Sequence, residues 1–307
     1  SVADMTNNGV YSGNDIIGNV TVERYIPNHP KAWQFLAVPT SGSTIRQSWQ
    51  EGNATVGSNM HAGYGTIITS NIPGAVSLGF DIYSPAAPSM KSFNASTNAW
   101  DGVASTSIPI ANKKGYMIFV RGDRTVTTSS APATALTLRT TGQLYTSGAN
   151  APQMTTVPAG KFESIGNPYA STIDFRKLTK SVAPDVADVF YVWDPLLTNT
   201  YFGLGGYQTI SAANGWKPIP GGTANYNASV PYPYILSGQA FMVHSLGAAG
   251  SVAFSETSKV NVQGSVNRPS LAPDEKQSFR TRITSGADRM SDRNVGTIDD
   301  NYGREYA

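Results

Sequence analysis

Short runs of β-branched and aromatic residues recur along this chain, each closed off by Gly, Pro, Asn or Ser: Val20–Tyr25, Ala32–Val38, Gly65–Thr69, Val76–Tyr83, Tyr116–Val120, Ala135–Thr140, Phe162–Ile165, Val189–Trp193, Gln239–His244 and Ser251–Phe254. Runs of this length and composition, punctuated this often, read as strands joined by tight turns. The remaining composition agrees. Ser and Thr together make up about a fifth of the chain, beside 30 Gly and 19 Pro. Only 14% of residues are charged, against about 25% in an ordinary soluble domain. Coiled coils and helical bundles need long Ala/Glu/Lys/Leu-rich periodic stretches, and none occurs. Aromatic residues at 10% supply enough packing surface to exclude bulk disorder. The one stretch that reads as a helix is Ser171–Val182, where Ile173, Leu178 and Val182 fall loosely at helical spacing before Pro184. The expected class is all-β with one to three helical turns.

An internal echo sharpens this to two related halves. Lys31–Ile45 (KAWQFLAVPTSGSTI) lines up with Gly160–Asp174 (GKFESIGNPYASTID), an aromatic strand followed by Pro and small hydroxyl residues. Ser89–Trp100 lines up with Val189–Phe202, and Ile108–Thr125 with Tyr234–Ser251, in the same order. Such self-similarity implies a duplicated unit, here two β-sandwich-like halves packed around a pseudo-two-fold axis. Residues 1–17 read as an N-terminal tether, 18–132 as the first half and 133–258 as the second. Residues 259–307 are richer in charge and poor in apolar side chains. They read as an extended tail, with Gln277–Thr284 as a strand for a neighbour or a further domain.

Reactive chemistry is sparse. There is no cysteine, so disulfides, thiol catalysis and Cys-based metal sites are excluded. His29, His61 and His244 stand alone, without metal-ligand spacing, and no Gly-x-Ser-x-Gly turn is present. The glycine-dense Gly203–Gln208 opens no helix and fails the context of a phosphate cradle. No cofactor is implied. Lys and Arg are scattered at a net charge of +2, which speaks against nucleic acid. No apolar run approaches 18 residues, which speaks against membrane insertion.

Three candidate sites remain. A sugar platform needs exposed aromatic faces; Trp49, Trp216, Tyr226, Tyr232 and Tyr234 are the candidates, whereas Trp33, Trp100 and Trp193 lie in the repeated strands and belong to the core. A hard-cation loop is suggested by Asp299, Asn301 and Glu305, oxygens at alternate positions near the end of the chain. A glycoside hydrolase would need two carboxylates roughly 5–10 Å apart, drawn from Glu23, Asp81, Asp101, Asp123, Glu163, Asp174 and Asp194. Most of these acids sit in ordinary turn contexts such as Asp101-Gly102 and Asp194-Pro195.

The order of motifs resembles a module of large secreted surface proteins of the Bacteroidota. It is carried by GNVTVERYIPNHPKAWQFLAVPTSGSTI, GYGTIIT, SFNASTNAW and KKGYMIFVRGDRT, then KFESIGNPYASTIDF, YVWDP, GGYQTI, SGQAFMV and VAFSETSKV. The resemblance covers about Gly18–Arg282. It implies export by the type IX secretion system, an extracellular or cell-surface location and a non-enzymatic adhesive or structural role, and it supplies no catalytic residues. The partners it implies are other copies of the chain, as in a self-assembling filament, or neighbouring domains, with glycans as a further possibility. Such modules continue into more β structure and a sorting domain, and this sequence ends before either.

Overall fold

The computed structural model describes residues 2–27, 29–52, 61–148, 151, 154–181, 186–197, 205–262 and, as backbone, 277–284 and 291–298. The chain divides into two units, Ser1–Arg268 and Pro269–Ala307. In the larger unit the strands run β1 (Asn19–Ile26), β2 (Ala32–Leu36), β3 (Thr40–Ser41), β4 (Met90–Asn94), β5 (Ala99–Gly102), β6 (Tyr116–Val120), β7 (Leu136–Leu144) and β8 (Thr155–Val157). They continue as β9 (Phe162–Gly166), β10 (Ile173–Asp174), β11 (Thr179–Lys180), β12 (Val189–Asp194), β13 (Gly206–Ser211), β14 (Tyr234–Ile235), β15 (Ala240–His244) and β16 (Gly250–Ala253). The described residues of the smaller unit form an antiparallel hairpin, β17 (Gln277–Thr284) with β18 (Ser291–Ile298), in register from Gln277 opposite Ile298 to Thr284 opposite Ser291.

Two four-stranded sheets share one topology. The first is ordered β2-β6-β4-β5, and the second, read in the same sense, β9-β15-β12-β13. Each is backed by a three-stranded sheet, again in matching order, β1-β7-β3 and β8-β16-β11. The strand alternation of inward and outward side chains then builds four layers. On β15, Phe241 and Val243 enter the core of the second half while Ala240 and Met242 face the first. On β6, Tyr116, Ile118 and Val120 enter the first core while Met117 faces the second half. Phe35, Phe93, Met117, Trp193, Ala240 and Met242 form the layer between the two four-stranded sheets, with Trp33 and Trp100 packed against it. Of the three strand tryptophans, Trp193 is a core residue, while Trp33 and Trp100 are partly buried against it.

The pseudo-two-fold relation is written into the backbone. Leu36 bridges Gln239, and Ile165 bridges Lys114. The Ala37 amide donates to the Gly238 carbonyl at 3.0 Å, and the Gly166 amide donates to the Lys113 carbonyl at 2.9 Å. Laying KAWQFLA on GKFESIG exchanges each member of these pairs for its counterpart. Lys113 and Gly238 even share a left-handed backbone, with φ of 63° and 69°. A lysine holds that conformation at a cost of about 1–3 kcal/mol, so the turn is imposed by the packing of the halves.

Several expectations are corrected. β7 pairs along its length with β1 and at its end with β3, so the first half extends to Leu144 and does not close at 132. The second half runs past 258, because the Val260 amide donates to the Thr172 carbonyl at 2.9 Å and Ile173 bridges Lys259. Residues 2–5 are no loose tether. The Val2 amide donates to the Ala170 carbonyl (3.1 Å), the Met5 amide to the buried Glu256 carboxylate (2.8 Å), and Lys259 Nζ to the Ala3 carbonyl (3.2 Å).

Among the described residues of Ser171–Val182, which run to 181, there is no α-helix. Ile173 pairs with Ile235, Asp174 caps a single 3-10 turn at Phe175–Lys177, and Thr179 pairs with Ala253. Strand pairing overrides a weak helical period. The only α-helix among the described residues, α1 (Ile45–Trp49), starts at a reciprocal capping box between Thr44 and Gln47 and is anchored by buried Ile45 and Trp49. Residues 65–69 and 76–83 form no strands either. Loop and turn hydrogen bonds hold their backbone instead, such as the Gly65 amide to Thr137, Thr66 to Trp49, Phe80 to Ala75 and Asp81 to Ile68. The buried Asp81 carboxylate accepts the Ile68 amide (2.8 Å), Gln50 Nε2 (2.8 Å) and both terminal nitrogens of Arg124.

Candidate functional site

Four of the five aromatic candidates converge. Ser211 caps a 3-10 turn at Ala212–Asn214, and the chain then passes through two left-handed residues, Gly215 and Trp216. The reversal is closed by the Trp216 amide donating to the Ser211 carbonyl at 2.7 Å, and it turns the indole back to 6.0 Å from the Phe175 ring. The Trp216 carbonyl then accepts the Tyr232 amide at 2.7 Å. Tyr232 meets Tyr226 edge-on at 5.5 Å and Tyr234 at 5.7 Å, so three tyrosines form a continuous ladder beside the tryptophan turn. Edge-to-face contacts of this kind add about 0.5–1.5 kcal/mol per pair beyond burial.

Beneath the ladder a buried polar network fixes the loop. Asp194 accepts from Thr223 Oγ1 (2.6 Å), Gln208 Nε2 (3.0 Å) and the Leu196 amide (3.0 Å), and Gln208 Oε1 accepts the Gly221 amide (2.7 Å). Tyr226 lies in the second core, 1% exposed, with its hydroxyl accepting from Gln239 Nε2 at 3.0 Å. Burial pushes the Tyr232 phenol up to about 12 and the Tyr226 phenol well above its ordinary value, so both remain protonated hydrogen-bonding groups. Trp216, Tyr232 and Tyr234 are half-buried, each keeping part of its surface toward solvent.

Two arginines border the ladder. Arg176 is held by the buried Asp174 carboxylate through Nε (2.9 Å) and Nη2 (2.6 Å). Arg24 arrives from β1 of the other half, its Nη1 donating to the Ser237 carbonyl at 2.6 Å. Its Nε is buried without a hydrogen-bond partner, and it forms no ion pair among the described residues. Desolvation brings its pKa down from 12.5 to about 10, partly offset by the Tyr226 and Tyr232 phenols. It stays cationic at neutral pH. Sequence reading missed Arg24 because nothing in NVTVERYI points to a loop more than two hundred residues away.

The other candidates are placed differently. Trp49 is 2% exposed in the first core, edge-on to Tyr116 at 6.2 Å, and offers no face to a sugar. Burial likewise removes Tyr226 from any direct stacking role. Asp299, Asn301 and Glu305 lie outside the described residues; among those described, no group of three or more His, Cys, Asp or Glu could hold a metal ion.

The seven carboxylates have local partners. Asp81 is paired with Arg124, Asp174 with Arg176, and Asp194 is bound by Thr223 and Gln208. Asp123 accepts from Gly63 and Thr125, Asp101 from Asn94 Nδ2 (2.9 Å), and Glu163 from the Ser164 amide (3.0 Å), while Glu23 stands opposite Arg139. The Arg121-Gly122-Asp123 tripeptide, whose charged ends an exposed turn would offer to a receptor, is folded inward with Arg121 at 7% and Asp123 at 4% exposure. Arg121 stacks on Tyr83 at 4.4 Å instead. No protein-family model, curated protein or solved structure matches this chain.

Proposed function

We propose that this chain is a non-enzymatic structural or adhesive module of an extracellular bacterial surface protein, associating with other copies of itself through strand edges. The observation that carries this reading is the hairpin β17–β18, which forms a two-stranded sheet of eight-residue strands in a unit of its own. Two strands alone are marginally stable in water, so such a hairpin gains most by completing the sheet of a neighbour through main-chain hydrogen bonds. A matching acceptor exists: β1, also eight residues long, is the outer strand of its sheet. The resemblance to surface modules exported by the type IX secretion system supports the location. Engagement of the acids by structural partners favours a scaffold over a hydrolase.

The test compares the full chain with a version ending at residue 262, which keeps Lys259 and Val260 in the second half. Light scattering across a concentration series should show self-association in the full chain and monomers in the shorter one. Identical mass distributions in both would reject the hairpin as the assembly element.

A second reading, contact with a glycan, is favoured by the convergence of Trp216, Tyr232 and Tyr234 on one partly exposed ladder.

A further inference from the structure

We infer that residues 2–15 exchange between copies of this chain, the groove that holds them on the second half being filled by the same residues of a second copy. This contact is separate from edge pairing by β17–β18. Its basis is a mismatch between where the segment is attached and where it is seated. Covalently, residues 2–15 lead through Ile16–Gly18 into β1 of the first half. Their hydrogen-bond partners lie in the second half and in the link leading into it. The Val2 amide donates to the Ala170 carbonyl (3.1 Å) and to Ser171 Oγ (2.9 Å), and that hydroxyl donates to the Val2 carbonyl. The Met5 amide donates to Glu256 Oε2 (2.8 Å), Lys259 Nζ to the Ala3 carbonyl (3.2 Å), and Thr146 Oγ1 to Asp15 Oδ1 (2.6 Å).

The groove needs an occupant. Glu256 is 1% exposed and Lys259 9%, and they are bonded to each other at 2.8 Å. Each still turns one polar atom to the segment, the carboxylate to the Met5 amide and the ammonium to the Ala3 carbonyl. Withdrawing the segment leaves a buried ion pair short of hydrogen bonds, which is unfavourable until a matching donor and acceptor return. Gly148 completes the seat, since a Cβ there would run into Asp15 Oδ2 and lie 3.0 Å from Tyr11 Cε2.

The segment itself is lightly held. Val10 is 69% exposed and Tyr11 48%, so hydrogen bonds, more than apolar burial, keep it in place. Segments of this kind open locally at far smaller cost than global unfolding. The link to β1 can redirect it: Ile17 is 94% exposed, and Gly18 takes a φ of 98° with nothing within 4 Å of its Cβ position. A second copy supplies the identical donors, acceptors and carboxylate, so no new contact has to be built, which is the condition for exchange of an element between identical chains. Within one chain the short link sets an effective concentration on the order of millimolar, so exchange grows with chain concentration.

The experiment uses the full chain, which has no cysteine of its own. A Cβ at Gly9 would lie 3.2 Å from Thr257 Cγ2, which puts positions 9 and 257 within disulfide reach. A Gly9→Cys chain and a Thr257→Cys chain, mixed in equal amounts and oxidised with glutathione disulfide, can join 9 to 257 only between copies. Mass spectrometry of the digested dimers should find the 9–257 link several-fold in excess of the 9–9 and 257–257 links together. The excess should rise with chain concentration and fall when a synthetic peptide of residues 2–15 is added. Random collision gives 9–257 no more often than the other two together, and that ratio would overturn the exchange. The doubly substituted chain, oxidised at low concentration, should close 9–257 within itself; failure there would overturn the seating of the segment. Gly9 holds a φ of 86° that cysteine adopts with strain, so hydrogen exchange on the unsubstituted chain supplies an independent reading. The Val2 and Met5 amides should exchange at least about 100-fold faster than those of β15, and protection equal to that of β15 would overturn release of the segment. The 9–257 link does not involve β17–β18, so this proposal and the hairpin's part in assembly fail separately.

Discussion

The closest approach between the halves offers a stringent test. Gly166 on β9 and Ala37, counterparts in the two halves, face each other near the pseudo-two-fold axis, and Gly115 and Ala240 form a second such close pair. A Cβ added to Gly166 would lie 2.4 Å from Ala37 Cβ and 3.0 Å from the Lys114 carbonyl oxygen. Carbon atoms prefer about 3.5–4.0 Å, so the sheets must separate or shear. Overpacking costs typically about 1–3 kcal/mol, and both obstacles are rigid, which places Gly166→Ala near the upper end. The lost glycine freedom of the unfolded chain returns about 0.4–1 kcal/mol, leaving a destabilisation of about 2 kcal/mol. At about 2–4 °C per kcal/mol for a unit of this size, calorimetry should record a melting temperature lower by about 4–8 °C. Adding Ala37→Gly to this variant removes the 2.4 Å contact and should recover part of the loss; the carbonyl contact accounts for the remainder. A melting temperature unchanged or raised by Gly166→Ala, or no recovery in the double variant, would refute this packing of the halves.

Asp81→Ala strands Arg124, whose side chain is 0% exposed, and should cost about 3–5 kcal/mol, read by chemical denaturation. Removing residues 1–5 deprives buried Glu256 and Lys259 of backbone partners; a loss of about 1–3 kcal/mol is expected, with faster hydrogen exchange at Thr172 and Val260. Burial raises the Glu163 carboxyl above its ordinary 4.5, against weaker opposing contributions from the Ser164 amide and Lys114. The folded state therefore holds that proton more tightly, and wild-type stability falls as pH rises from about 4.5 through the raised folded value. Glu163→Gln lacks this loss, so its melting temperature relative to wild type should climb between pH 4 and neutrality; a constant difference would contradict the assignment.

The strands legible in the sequence were those whose β-branched and aromatic runs are closed off by turn residues, such as β1, β6, β12 and β15. The duplication was legible because both halves solve the same packing problem with the same residue types at the same steps. Residues 65–69 and 76–83 misled because they are as apolar as strands yet are held by turn and loop hydrogen bonds, with the buried Asp81 carboxylate among their anchors. Of the aromatic candidates, Trp216, Tyr232 and Tyr234 carry a loop signal, while Trp49 and Tyr226 differ from them only in where the fold puts them.

What the sequence by itself determined is the alternation of inward and outward side chains, the turn positions and the twofold pattern, since these follow from local backbone preferences and side-chain size. Tertiary structure alone decided that β7 joins the first half, that residues 2–5 are bonded to Glu256 and Lys259, and that Arg24 reaches the Ser237 carbonyl in the other half. Those outcomes depend on contacts between residues more than a hundred positions apart, where burial and hydrogen-bond satisfaction, and no local preference, select the partner.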